Sequence, residues 1–138
     1  MEVNSTRLYH TVPSASNMKM IWVEPGTLTM GQAGYETEYQ VTLTQGYYLG
    51  KFEVTQAQYE AVMSGNSQGL NAKPSRWLNN DQRPVEKVSW EDTVVFFSRL
   101  NQLEQVAGRL PTGWQYALPT EAQWEYACRA ATTTVYSW

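Results

Sequence analysis

Cysteine and histidine each occur once in the 138 residues. A lone thiol cannot close an internal disulfide, and one Cys with one His cannot complete a tetrahedral zinc site. Cysteine usage therefore leaves the redox compartment unread. Long apolar runs are missing too, since none approaches the ~18 residues of a membrane-crossing helix. The first twenty residues hold no hydrophobic signal-peptide core, which makes the cytoplasm the expected compartment if Met1 is the native start. Basic charge is sparse, with 10 Lys and Arg against 13 Asp and Glu, well mixed, for a net charge of −3. Without a basic stripe or cluster, no nucleic-acid partner is expected. There is no phosphate-cradling glycine loop, no dinucleotide fingerprint, no Gly-x-Ser-x-Gly elbow and no pair of metal-binding histidines.

What is plentiful is indole and phenol. Six Trp and nine Tyr outweigh three Phe. Such amphipathic rings suit grooves and partner contacts as well as cores, packing in the core and its rim being the plainer reading. With 42% apolar residues, the chain is long enough for one domain with its own core.

Residues 1–17 are polar and aperiodic, which predicts a flexible leader with His10 as a solvated bystander. Asn4-Ser5-Thr6 matches the glycosylation acceptor pattern, a triplet common by chance. Met18 to Val23 reads as a strand. Glu24-Pro25-Gly26-Thr27 has type II turn chemistry, with Gly26 at positive φ and Leu28 to Met30 returning as the second arm of a hairpin. Gly31 and Gly34 open a loop. Tyr39 to Leu43 alternates as a half-buried strand, and Tyr47 to Phe52 gives another, Gly50 marking a bulge or close approach.

Two helices follow, each with a capping box. Thr55 with Gln58 starts the first, which turns Tyr59, Val62 and Met63 inward and stops at Gly65. Ser89 with Asp92 starts the second, over Trp90 to Val106. Its stripe runs through Val94 and Phe97, widened by Phe96, Leu100 and Leu103, and Gly108 ends it. Between them lies a polar connection from Ser64 to Pro84, long enough to suggest a functional or packed segment. Pro111 to Trp114 then turns the chain into Tyr116–Leu118. Strands first, then helices with long loops, describe an α+β domain. The spaced caps invite a helical-repeat reading, but the intervening segments differ and the reading fails.

The organising stretch is Leu118-Pro-Thr-Glu-Ala-Gln-Trp-Glu-Tyr-Ala-Cys-Arg129. Pro119 ends what precedes it. Thr120 is placed as an N-cap, and Gln123 completes a third capping box. Glu121 in the first turn and Arg129 in the last both have the sign that the helix dipole favours. Trp124, Ala127 and Cys128 share one face, while Glu125 and Arg129 form an i,i+4 pair on another. This predicts a short, capped, half-buried helix. Cys128 sits in its last turn, where the dipole disfavours a thiolate, so a structural thiol is expected. Glu53, Glu86, Glu121 and Glu125 could be imagined as acids or bases, but capping and i,i+4 pairing explain Glu121 and Glu125 first, and Glu53, just before a cap threonine, reads as a loop anchor. Asn79-Asn80-Asp81 offers oxygen ligands without the alternation and turn glycine of a calcium loop.

The stretch ending at Arg129 resembles the signature of the formylglycine-generating enzyme (sulfatase-modifying factor) family. Three more segments match in order: Met20-Ile-Trp-Val-Glu-Pro-Gly-Thr-Leu-Thr-Met-Gly31, Tyr48-Leu-Gly-Lys-Phe-Glu-Val-Thr-Gln-Ala-Gln-Tyr59 and Arg83-Pro-Val-Glu-Lys-Val-Ser-Trp-Glu-Asp92. Glu53, Thr55, Ser89 and Trp90 fall within them. Ala117 departs from the family, which usually has Arg there, so a salt bridge or loop anchor is expected to be lost. The resemblance implies a C-type-lectin-like fold with added loops. It covers residues 18–138 and roughly the N-terminal half of a family domain, so an incomplete fold is expected. The implied activity is copper- and oxygen-dependent oxidation of a sulfatase cysteine (in some lineages serine) to formylglycine. The copper-holding cysteines and the calcium-binding backbone belong to the second half, so no catalytic, cofactor or metal residue carries over and this chain alone is expected to be inactive. The implied partners are the remaining half of the domain and a sulfatase polypeptide. A non-catalytic ligand- or protein-binding module on the same fold is the alternative. An iron-dependent sulfoxide synthase would need an upstream histidine-bearing domain.

Overall fold

A computed structural model describes residues 9–30, 37 and 39–130. Five strands precede three helices: β1 (Tyr9–Val12), β2 (Met18–Val23), β3 (Gly26–Met30), β4 (Tyr39–Leu43), β5 (Tyr47–Gly50), α1 (Gln56–Met63), α2 (Trp90–Val106) and α3 (Glu121–Ala130), with a 3-10 turn at Pro13–Ala15. This is the expected α+β composition. One sheet has the order β1-β2-β5, and β3 pairs with β4 in a separate two-stranded sheet. Two compact units result, one of residues Met1–His10, Met20–Leu49 and Pro119–Trp138, the other of Thr11–Lys19 and Gly50–Leu118.

The first unit is built on β3 and β4. Their antiparallel register sets Leu28 against Val41 and Gly26 against Leu43. Alternation sends Leu28, Val41 and Leu43 to one face, where they pack with Leu49 on the buried Val23, Tyr126 and Ala127. Thr27, Thr29, Gln40 and Thr42 are exposed on the other face, and the Thr27 and Thr42 hydroxyls pair at 2.9 Å. Helix α3 lies over this sheet.

The expected hairpin from 18 to 30 does not form, since β2 and β3 belong to different sheets. Gly26 does not take the positive φ of a type II turn; it begins β3. It stands opposite Leu43, and a Cβ there would come within 2.6 Å of the Tyr126 hydroxyl. Glycine is needed for close approach, not for turning. The expected face of α3 also shifts. Trp124 is 42% exposed, whereas Tyr126 and Ala127 are buried.

In the second unit α1 and α2 pack on each other and on the 3-10 turn. Val12, Ala15, Met18, Tyr59, Val62, Met63, Phe96 and Leu100 form its core. Tyr59 stacks on Phe96 at 5.5 Å, with the rings 8° from parallel. Residues 9–17 are therefore not a flexible leader, because Val12 and Ala15 are fully buried in the core they were expected to precede. Nor is His10 a bystander in solvent: its ring lies 5.4 Å from Tyr48.

Both predicted helices start and stop where the caps require. Thr55 and Ser89 each make the reciprocal capping box. Gly65 and Gly108 adopt positive φ just past the helix ends. The stripe of α2 is rotated from the expected one, through Phe96, Leu100 and Glu104, leaving Val94 and Leu103 exposed. The reason is a carboxylate that binary patterning reads as polar. Glu104 is fully buried, accepts from the Ser14 hydroxyl at 2.7 Å, and is paired with the Arg109 guanidinium. It ties the 3-10 turn to the end of α2. Asn101 clamps the following loop by accepting from Tyr116 N–H and donating to its carbonyl.

The expectations at Asn4-Ser5-Thr6, Gly31 and Gly34 lie outside the described residues, as does the Arg129 side chain.

Candidate functional site

The long connection from Ser64 to Pro84 is the part of the second unit most fully devoted to holding a shape. Its logic starts at the first turn of α1, where a helix leaves backbone N–H groups without partners. Thr55 Oγ1 accepts from Gln58 N–H. The next two donors are satisfied by the loop itself, Gln56 N–H by the Arg83 carbonyl and Ala57 N–H by the Asp81 carbonyl, each at 2.9 Å. Val85 N–H then donates to the Val54 carbonyl, with Thr55 and Pro84 bridged beside it. The buried Gln56 side chain donates to the Trp77 carbonyl at 3.0 Å.

A second fastening closes the loop at its base. Ser75, only 5% exposed, accepts from Glu86 N–H at 2.9 Å, and the Glu86 carboxylate accepts from Arg76 N–H at 3.1 Å. Held at both ends, residues 76–85 display Trp77 and Leu78 to solvent, and the Arg76 guanidinium lies over the Trp77 ring. Leu78, with residues of α1, lines a cavity of about 410 Å³. Gln56 and Glu60 of α1, Lys73, Leu78, Asn79 and Asp81 lie in its wall. The Lys73 ammonium is 3.4 Å from the Glu60 carboxylate, with both side chains well exposed.

The residues singled out in the sequence do not converge on one site. Thr55 and Ser89 cap helices of the second unit, while Thr120 caps α3 in the first, with Gln123 Oε1 accepting from Thr120 N–H in return. Glu53 and Glu121 are exposed, Pro119 and Glu125 half-buried, and Trp90 exposed at 70%. Cys128 is a half-buried free thiol in the last turns of α3. Sequence reasoning passed over Tyr47, which donates to the Gln123 carbonyl. Burial, with smaller effects from Tyr126 and Cys128, pushes the Tyr47 hydroxyl up to about 12. Burial and then the nearby Glu104 carboxylate push Tyr116 up to about 12 as well, against the opposing pull of Arg109. Tyr59 is raised by burial and then by Asp92, and its hydroxyl is buried without a hydrogen-bond partner among the described residues. Of this arrangement the sequence showed only the length and polarity of the connection from Ser64 to Pro84.

A copper site of two cysteines cannot be made from a chain that has one. At Asn79-Asn80-Asp81, Asn80 Oδ1 accepts from Gln82 N–H and Asp81 Oδ1 from the Gln82 amide, as in a self-contained turn. Among the described residues, no three His, Cys, Asp or Glu side chains are grouped to hold a metal ion. No helix of the described residues is long and apolar enough to cross a membrane.

Comparison with known proteins gives one family and one curated relative. The family model of the sulfatase-modifying factor enzyme 1-like domain matches residues 5–138. The chaperone protein LppX of Paenibacillus barcinonensis is 28% identical over 133 residues, covering 78% of this chain and 44% of the relative. The chain thus spans less than half the length of that protein. No solved structure matches it. With the family model running through nearly the whole chain, it belongs to the family of sulfatase-modifying factor enzyme 1-like domains.

Proposed function

We propose that this chain is the N-terminal portion of a formylglycine-generating-type domain with a C-type-lectin-like fold. The protein that carries it oxidises a sulfatase cysteine to formylglycine, with the copper and calcium ligands in the rest of the domain. Family membership supports the reaction class. The observation that carries the division of labour is how the signature residues are used. Thr55, Ser89 and Thr120 hold helix starts, each with its partner at the third helical position. Cys128 is left as a single half-buried thiol beside Tyr47 and Tyr126. These are supporting roles, and chemistry must come from residues elsewhere.

The surface of α2 supports the same reading. Trp90 and Val94 are 70% and 45% exposed and share a helix face with the half-buried Phe97. A face of that kind is covered in the assembled domain, and the remaining half of the domain is the partner it fits.

The relative named as a chaperone favours a second reading, a non-catalytic module that binds polypeptide. One experiment separates the two. The full-length protein is incubated with copper, oxygen and a Cys-x-Pro-x-Arg peptide, and the aldehyde is trapped with a hydrazide. Aldehyde formation supports the oxidase. Peptide binding without aldehyde overturns it in favour of the binding module.

A further inference from the structure

We draw no further inference here: the strongest candidate, the apolar surface patch that Phe52, Trp77 and Leu78 present beside the first turn of α1, carries nothing because nothing in the structure shows what covers it.

Discussion

Replacing Ser75 by Ala tests whether the loop over α1 is a fastened unit. The hydroxyl is the acceptor for Glu86 N–H at 2.9 Å, and its own donation to the Glu86 carbonyl, at 3.5 Å, is too long to matter much. Ser75 is 5% exposed, so water cannot readily take the place of the lost oxygen. Leaving one buried N–H unpaired costs about 1–3 kcal/mol. Arg76 N–H keeps its bond to the Glu86 carboxylate, which limits the damage to the base of the loop. Opening should then become roughly 5- to 150-fold more frequent, at tenfold per 1.4 kcal/mol. The assay is amide exchange at Glu86 and at Gln56 and Ala57, whose N–H groups are held by loop carbonyls. A Thr55→Ala control removes the cap acceptor of Gln58 and leaves the clasp intact. Unchanged exchange at Glu86, Gln56 and Ala57 in Ser75→Ala would refute the idea that the clasp holds the loop on α1.

Three further outcomes follow from other elements. Thr120→Ala should lower stability by ~1 kcal/mol through loss of the Gln123 N–H acceptor, measured as a shift in denaturant midpoint. Leu100→Ala should cost about 2–5 kcal/mol because the side chain is fully buried beside α1, and an unfolding curve matching wild type would count against the packing of α2. Tyr47 holds its proton to about 12 in the folded chain against 10.0 as a free side chain. Its contribution is therefore complete below pH 10 and is lost as the pH rises through about 12. Tyr47→Phe should flatten the alkaline part of a stability–pH curve, and an unaltered curve would place the titration elsewhere.

The helix starts were legible because a capping box is a local device. Thr55, Ser89 and Thr120 act within one turn, and nothing distant can move them. Strand pairing is not local. Pro25-Gly26 reads as a hairpin turn, yet the partner of β3 is β4, chosen by the match of Leu28 with Val41 and by the fit of Gly26 under Tyr126. The polar stretch at 9–17 reads as a leader because its few apolar residues are scattered; Val12, Ala15 and Met18 become core only once α1 and the Ser14–Glu104 bond are in place. Glu104 misled for a related reason, since its burial depends on Ser14 and Arg109, 90 residues before it and 5 after. The candidate cavity was announced only by the length and polarity of the connection over it. The loop that lines it is held on α1 by the backbone carbonyls of Asp81 and Arg83, and these carry no side-chain signature.

The proposed division of labour, with the chemistry supplied outside this chain, can be tested directly. Residues 1–138 are purified alone and incubated with copper, oxygen and a Cys-x-Pro-x-Arg peptide, and the peptide mass is followed beside a full-length control. The account predicts conversion to the aldehyde by the full-length protein and an unchanged peptide with the chain alone. Turnover by the chain alone would contradict it, because the single thiol of Cys128 would then have to belong to a working active site.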